Sequence, residues 1–255
     1  MADAPRVALI GATGRMGRAI AVVADADKSL SIHAAVVSPT SRAIGADFGE
    51  LALGKRSGVL VTDDVAAAVQ SADLVVDFSR AEATPSVIAA SRAARKPLLV
   101  GTTGLSAQTT QELDEAARDI PLLVAPNTSI GIAVLLELAR TAARALPQAF
   151  DIEIYEAHHR GKRDAPSGTA IALREVLTGA RSGRPAKVGV ASVRAGDIAG
   201  EHVVSFLGEG EQVRLEHRVT DRSVFARGAV KAAVWLVGRP AGRYAMRHVL
   251  GVGAV

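Results

Sequence analysis

The 255-residue chain contains no cysteine, so disulfides and thiolate metal sites are excluded and a reducing compartment is expected. No apolar run reaches the roughly 18 residues of a membrane-spanning helix, and no secretory leader is visible, which predicts a cytoplasmic protein without a membrane partner. The formal net charge of +4 is scattered among acidic residues without basic blocks, which indicates small anionic ligands rather than nucleic acid.

A glycine-rich turn follows the first predicted strand. The apolar run Val7–Ile10 is followed by glycines with the spacing G-x-x-G-x-x-G, at Gly11, Gly14 and Gly17, and apolar residues then recur at helical spacing. Glycines let backbone N–H groups approach a phosphate, and the start of a helix favours negative charge. The strand–turn–helix context predicts dinucleotide binding, with a purely structural tight turn as the alternative.

The second predicted strand ends near Val37 without the acidic residue that binds the ribose 2′-OH in most NAD sites. The residues that follow are hydroxyl-bearing or basic: Ser38, Thr40, Ser41 and Arg42. With Arg15 of the glycine turn they suit a 2′-phosphate, which predicts NADPH as the preferred cofactor over NADH. The alternative is that Arg42 is only a solvated loop charge.

Strands and helices continue to alternate up to about residue 127, which predicts an α/β fold with a doubly wound parallel sheet of the Rossmann type. Ligands bind at the carboxyl ends of the strands in such sheets. The loops predicted at those ends are rich in small or hydrogen-bonding residues: Gly11–Gly17, Phe78–Arg80, Gly101–Thr103 and Ala125–Thr128.

The pattern changes after Asn127. A long amphipathic helix over residues 130–146, a strand over 150–159 and a helix over 167–179 are followed by strand-like runs with no helix between them. Such runs predict an antiparallel or mixed sheet, and therefore a second, α+β domain. The tail from Phe225 is predicted to form two helical pieces broken at Gly238–Gly242.

The stretch HHRGKRDAPSGTA, residues 158–170, concentrates groups that bind anions and transfer protons. His158 and His159 fall at the end of a predicted strand, and Lys162 follows in the loop. The amides at the start of the next helix lack partners within that helix, so the run Ser167–Thr169 is suited to bind a carboxylate. A histidine titrates near neutral pH and suits general acid catalysis.

A metal site is the alternative for the adjacent histidines, but no clustered carboxylate or histidine completes a coordination shell, so no metal is predicted. The remaining histidines are scattered along the chain and are predicted to be structural or exposed: His33, His202, His217 and His248.

The stretch EAHHRGKRDAPSGTA resembles the signature of the 4-hydroxy-tetrahydrodipicolinate reductase family, also called dihydrodipicolinate reductases. VALIGATGRMG, DFSR, VGTTG, APNTSIG, VRAGDIAGEH and FARGAVKAAVWL match in order and spacing. The resemblance implies reduction of 4-hydroxy-tetrahydrodipicolinate to tetrahydrodipicolinate by NADPH or NADH, in lysine and diaminopimelate biosynthesis. Another Rossmann oxidoreductase of amino-acid metabolism, or a nonenzymatic NADPH-sensing relative, is the alternative.

The resemblance also implies an organisation in domains. Residues 1–127 and 225–255 would form the dinucleotide-binding domain, and residues 128–224 would bind the substrate and build a homotetramer through their sheet. The stretch between Thr178 and Ser192 is shorter than in several relatives, and Thr128 stands where an aromatic residue is common.

Carried over residue by residue, the resemblance assigns His158 as the proton donor/acceptor and Lys162 as the second proton donor. It assigns the carboxylates of a small dicarboxylate substrate to His159, Ser167, Gly168 and Thr169. The candidate cofactor-binding residues are Gly11, Ala12, Thr13, Gly14, Arg15, Met16, Gly17, Ser38, Gly101, Thr102, Thr103, Ala125, Pro126, Asn127 and Thr128.

Overall fold

The computed structural model describes residues 4–181 and 187–252. The strands are β1 Arg6–Ile10, β2 Ser31–Val36, β3 Val61–Thr62, β4 Leu74–Asp77, β5 Leu98–Val100, β6 Pro121–Val124, β7 Asp151–His158, β8 Val188–Arg194, β9 Glu201–Leu207, β10 Gln212–Arg218 and β11 Gly242–Tyr244. The helices are α1 Arg15–Asp27, α2 Phe48–Leu53, α3 Val65–Ser71, α4 Thr84–Ala93, α5 Ala107–Ala116, α6 Ile130–Ala145, α7 Gly168–Ala180, α8 Ser223–Leu236 and α9 Met246–Val249.

The chain forms two compact units. The first unit comprises the chain up to Thr128 together with the chain from Phe225 onward, and the second comprises Ser129–Val224. The boundary predicted from sequence, between residues 127 and 128, differs from this division by one residue.

The first unit is built on a parallel sheet with the strand order β11-β6-β5-β4-β1-β2-β3. Strands β4 and β5 are buried along their whole length, as expected of apolar strands in a parallel sheet covered on both faces. The predicted α/β, doubly wound class is therefore confirmed. The chain changes direction between β1 and β4, which are neighbours, and ligands of such sheets bind at this switch point.

The second unit has a mixed sheet in the order β10-β9-β7-β8, in which β7 and β8 are parallel and the other pairs antiparallel. The core that α6 and α7 form with this sheet includes Ile152 and Ile154 of β7. Because side chains alternate along a strand, this parity also directs Glu156 to the core face, where it is fully buried. A carboxylate thus lies at the carboxyl end of an otherwise apolar strand face.

Side-chain caps define where the site helices begin. The Ser129 hydroxyl accepts from the Ile132 amide at the start of α6, and the Ser167 hydroxyl accepts from the Ala170 amide at the start of α7. Such caps satisfy one of the unpaired amides of the first turn and stabilise a helix by about 1 kcal/mol. The Ser167 cap confirms the predicted start of this helix at Pro166 or Ser167.

The tail corrects one sequence prediction. Two helices, α8 and α9, are present, but the break between them contains the strand β11, which pairs in parallel with the edge strand β6. A strand of three residues that begins with a glycine shortly after Pro240 shows no strand periodicity, so only the available edge of β6 identifies it. Three short elements between Arg42 and Asp73 also have no counterpart in the sequence predictions: α2, β3 and α3.

The shortened stretch between Thr178 and Ser192 falls partly outside the described residues. Helix α7 runs to Ala180 and β8 begins at Val188, and residues 182–186 are not described. Within the parts of the chain that are described, no helix has both the length and the apolar character needed to cross a membrane.

Candidate active site

The glycine turn of the first unit has glycines where a side chain would not fit. A Cβ on Gly11, whose φ is +77°, would lie 2.5 Å from the Phe78 carbonyl oxygen. A Cβ on Gly17 would lie 2.3 Å from the Ala12 carbonyl oxygen. The first glycine therefore allows β1 to approach the β4 loop, and the last allows α1 to pack against the turn itself.

Several amides of this turn are used within the fold. The N–H groups of Gly11 and Ala12 donate to the Val36 carbonyl at 2.9 and 3.0 Å, and Gly14 donates to Gly11 at 3.0 Å. The N–H groups that have no acceptor inside α1 belong to its first three residues, Arg15 to Gly17, and Gly14 is the N-cap. Backbone donors that could bind an anion thus lie at the start of α1, next to the exposed Arg15 side chain.

Hydroxyl groups cluster where β2 ends. The Ser38 and Thr40 hydroxyls are 3.0 Å apart, and the Ser41 amide donates to the Ser38 carbonyl at 2.9 Å. Ser38, Thr40 and Arg42 are exposed, so this loop presents hydroxyls and a guanidinium without a carboxylate. The composition of this loop suits a phosphate better than a ribose hydroxyl.

Asp77, which the sequence analysis did not select, organises the neighbouring loops. It is fully buried at the end of β4 and accepts from the Ser79 amide and the Thr84 hydroxyl, both at 2.9 Å. Its carbonyl accepts from the Gly101 amide at 2.8 Å. Burial raises the pKa of Asp77. A Cβ on Gly101 would lie 2.1 Å from the Phe78 ring, so this glycine lets the two loops meet.

The remaining predicted cofactor residues follow β5 and β6. Thr103 and Pro126 are exposed, Asn127 is half-buried, and the buried members are Thr102, Ala125 and Thr128. The Thr128 hydroxyl donates to the Phe225 carbonyl at 2.7 Å, a contact that joins two segments of this unit. The topology nevertheless brings the ends of β1, β2, β5 and β6 to one edge of the sheet.

The centre of the second unit's site is Glu156, which the sequence analysis also missed. Four N–H groups donate to its carboxylate: Oε1 accepts from Arg194 Nη2 at 2.7 Å and Ser167 N at 3.2 Å, and Oε2 from Arg194 Nη1 at 2.9 Å and His158 Nδ1 at 2.6 Å. Burial raises the pKa of Glu156, but hydrogen bonds from Arg194, Ser192 and His158 outweigh it and lower the pKa to about 2. The buried carboxylate is therefore ionised at neutral pH.

This carboxylate orients His158, the last residue of β7. An ionised carboxylate can only accept, so the ring carries its hydrogen on Nδ1 and the other nitrogen, Nε2, is the one that can exchange a proton with a ligand. A Cβ on Gly200 would lie 3.3 Å from His158 Nε2, so the missing side chain leaves room beside that nitrogen. Burial lowers the pKa of His158, and Glu156 partly opposes this effect.

His202, which was predicted to be structural or exposed, is buried and lies next to His158. The pairing of β7 with β9 places it opposite Glu156, and its ring centre is 5.1 Å from that of His158. His202 Nε2 lies 3.2 Å from the Ser167 hydroxyl. Burial lowers the pKa of His202 to about 4, so the ring is neutral at physiological pH. This neighbourhood depends on strand register, which separations along the sequence do not reveal.

The loop after β7 carries the predicted ammonium. The strand ends at His158, so His159 already lies outside it and the alternation of a strand does not separate the two rings. Both oxygens of Asp164 accept from Lys162 Nζ at 2.8 Å. The Asp164 carbonyl accepts from Arg194 Nη2, which ties this loop to β8.

At the start of α7, the polar groups of Ser167 have partners within the fold. Its amide donates to Glu156, and its hydroxyl accepts from Ala170 and contacts His202, so Ser167 is buried and fully engaged. Gly168 is exposed, with open space where a Cβ would stand, and it forms the first turn with Thr169. The accessible surface of this helix start is therefore at Gly168.

Residues 4–181 and 187–252 contain no group of three or more His, Cys, Asp or Glu side chains arranged to hold a metal ion.

Models of two domain families match the chain. Residues 5–128 match "Dihydrodipicolinate reductase, N-terminus" and residues 131–250 match "Dihydrodipicolinate reductase, C-terminus". Similar curated proteins are the 4-hydroxy-tetrahydrodipicolinate reductases of Alkalilimnicola ehrlichii, 47% identical over 97% of this chain and 99% of the relative, and of Anaeromyxobacter dehalogenans, 44% identical over 97% and 98%.

Solved structures share the fold. A dipicolinate-bound dihydrodipicolinate reductase from Paenisporosarcina sp. TG-14 aligns with a TM-score of 0.76 at 24% identity, covering 95% of this chain and 97% of that one. GenD2 from gentamicin A biosynthesis, in complex with NAD, aligns with a TM-score of 0.64 at 18% identity, covering 94% and 88%. On the sequence matches over nearly its whole length, this chain belongs to the dihydrodipicolinate reductase family.

Proposed function

We propose that this chain reduces 4-hydroxy-tetrahydrodipicolinate to tetrahydrodipicolinate with NAD(P)H. The substrate loses water to give a cyclic imine, which takes up a hydride and a proton. The observation that carries the proposal is the His158 ring, held by the buried Glu156 carboxylate at 2.6 Å and adjacent to a loop that carries an ammonium. The His158 ring can deliver a proton to the substrate ring after hydride arrives, and the ammonium beside it favours an anionic substrate.

The first unit is suited to hold the dinucleotide. Bound NAD(P)H supplies the hydride. The turn at Gly11 and Gly17 has no space for side chains, and the first amides of α1 are positioned to bind a diphosphate. The hydroxyls of Ser38 and Thr40 and the exposed Arg42 support a preference for NADPH.

The second unit is suited to hold a dicarboxylate. The amide of Gly168 at the start of α7, the His159 ring and the Lys162 ammonium favour negative charge. The relative from Paenisporosarcina is described as dipicolinate-bound, which supports a substrate with two carboxylates. His158 Nε2 then donates a proton to the reduced ring, and Lys162 is the second candidate donor.

A coupled assay tests the reaction and the cofactor together. The substrate is generated in situ from aspartate semialdehyde and pyruvate by the upstream synthase, and oxidation of NADPH or NADH is followed by absorbance. We expect activity with both cofactors and a higher kcat/KM with NADPH. Equal or better efficiency with NADH would contradict the preference, and the absence of oxidation with either cofactor would contradict the reaction.

We also propose that the second unit assembles a homotetramer through its sheet. Tyr155 of β7 is 39% exposed on the sheet face opposite the core, although it is a large aromatic residue. Light scattering coupled to size exclusion should give about four times the chain mass of 26.3 kDa. A monomer mass at micromolar concentration would contradict this.

A further inference from the structure

We propose that Arg194 is a positioning residue that holds both candidate proton donors, His158 and Lys162, in place. This inference rests on the proposed function. Arg194 is the last residue of β8, and the parallel register places it opposite His158. Its side chain is 17% exposed, so the guanidinium acts largely out of water.

The first contact of Arg194 sets the orientation of the histidine. The two terminal nitrogens of the guanidinium donate to the two oxygens of Glu156 at 2.9 and 2.7 Å. A fork of this kind fixes the plane of the carboxylate, and Oε2 then faces His158 Nδ1. Because Glu156 is fully buried, its charge depends on these donors, and without them the carboxyl group would protonate.

The second contact sets the position of the lysine. The nitrogen that binds Glu156 Oε1 also donates to the carbonyl of Asp164, and the carboxylate of Asp164 holds Lys162 Nζ. One rigid guanidinium therefore joins the end of β7 to the loop that follows it. A lysine at this position has a single point of charge and cannot reach all of these acceptors with the same geometry.

The way Arg194 pairs argues against a role in packing alone. Its Nε is buried and has no partner among the described residues, while both terminal nitrogens make more than one contact. The side chain is thus oriented towards its acceptors on Glu156 and Asp164, although this orientation leaves its Nε without a partner among the described residues. Replacement of a purely structural ion pair by apolar residues is often tolerated, so the two roles predict different results.

The primary test compares Arg194→Lys and Glu156→Gln with the wild type and with Arg218→Lys. The Arg218 side chain, in the same unit, is 58% exposed and pairs with Glu201 at 2.9 Å. Glu156→Gln removes the charge that orients His158 but leaves Arg194 its contact with the Asp164 carbonyl, so we expect kcat to fall roughly tenfold. Arg194→Lys disturbs both donors and should lower kcat roughly 100-fold, with the KM for NADPH unchanged. Arg218→Lys should match the wild type.

A loss in Arg194→Lys that is no larger than the loss in Glu156→Gln would overturn the double role. Arg194→Ala supplies an independent arm, because guanidinium ion at millimolar concentration should restore part of its kcat. If Arg194→Ala proves insoluble, Arg194→Lys and Glu156→Gln still decide the outcome. A folded Arg194→Ala that guanidinium does not rescue counts against the proposal.

The pH profile and the histidine spectrum give readouts that a structural role would not move. The groups facing His158 are Glu156 on its own strand, Lys162 in the loop, Arg194 on β8 and His202 on β9. Glu156→Gln removes the carboxylate that raises the pKa of His158, so the fall of kcat/KM with rising pH should begin at lower pH.

In ¹⁵N spectra, the fraction of His158 in the Nδ1–H form should fall in Glu156→Gln and in Arg194→Ala, because neither keeps an ionised carboxylate facing Nδ1, and it should be unchanged in Arg218→Lys. This arm needs no turnover, so it tests Arg194 even if the wild type fails to reduce the proposed substrate. An unchanged His158 tautomer in both variants would overturn the inference whatever the activity.

Discussion

The two units build their candidate sites by opposite means. In the first unit the candidate site is formed by the main chain. It consists of glycines at positions where a Cβ would clash and of the amides at the start of α1. In the second unit the site is a network of charged side chains around the buried Glu156, with four N–H donors on one carboxylate. One site depends on the absence of side chains, and the other depends on all of its members being present.

This difference determines how each site should fail. A backbone site loses affinity when a side chain is added, because a methyl group displaces the main chain. A buried ionic network loses catalytic activity when one member is removed, because the remaining charges are left without partners. Substitutions in the first unit should therefore change the KM for the cofactor, and those in the second should change kcat.

The largest effect is expected for His158→Gln. Removing a general acid typically costs about 10²–10⁴-fold in rate, so kcat should fall by that range while the KM for NADPH stays constant. His33→Gln, at an exposed position on β2, is the matched control. Wild-type turnover in purified, folded His158→Gln would refute the assigned role.

Lys162→Ala should have the next largest effect on kcat. Its ammonium is paired with the exposed Asp164 carboxylate, whereas His158 is oriented by a buried one, so we expect a loss of roughly 10- to 100-fold, smaller than for the histidine. Lys55→Ala is the control, because Lys55 also pairs with an aspartate, Asp25, at 2.6 Å but lies in the first unit. A KM effect without a kcat effect would reassign Lys162 to substrate binding.

Gly17→Ala tests the backbone site. The new methyl would stand 2.3 Å from the Ala12 carbonyl oxygen, so α1 must shift away from the turn. We expect the KM for NADPH to rise about tenfold, which is ~1.4 kcal/mol of binding free energy, with kcat nearly unchanged. Gly179→Ala is the control, since nothing lies within 4 Å of its Cβ position. An unchanged KM in Gly17→Ala would show that the cofactor does not use this turn.

The same difference explains what the sequence could predict. The glycine turn was predictable because its strand, turn and helix are contiguous, and the cap at Ser167 follows from local chemistry. The network around Glu156 was not, because Arg194 lies 38 positions further along the chain. Its place depends on the register of β7 with β8, which packing of the whole core decides.

A partial signal for the network was nevertheless present. Glu156 and His158 are two positions apart, so they share a face of any strand that contains both. That parity, together with the apolar Ile152 and Ile154, predicts a carboxylate on the buried face beside the histidine. The pairing of His202 with Ser167 could not have been inferred in this way, because it joins two segments through β9.

Gly200→Ala adds a methyl group beside the site of the second unit, as Gly17→Ala does in the first. A Cβ here would lie 3.3 Å from His158 Nε2, tight enough to displace the ring or to block the approach to it. We expect kcat to fall about three- to tenfold, as for a small misplacement of a reacting group. The measurement is kcat against Gly179→Ala, and an unaffected kcat would mean that the substrate does not approach Nε2 from this side.

The smallest effect is expected for His202→Gln and concerns stability. Burial lowers the pKa of His202 to about 4 from its ordinary value of 6.5, so between these pH values the unfolded chain binds a proton that the folded chain does not. The free energy of unfolding of the wild type must therefore fall as pH drops from 6.5 to 4. In His202→Gln this fall should be smaller, by about 3 kcal/mol at most. Urea denaturation at pH 7, 5.5 and 4 measures the difference, with His33→Gln as the exposed control. Parallel pH dependences for His202→Gln and the wild type would mean that His202 is not buried in its neutral form.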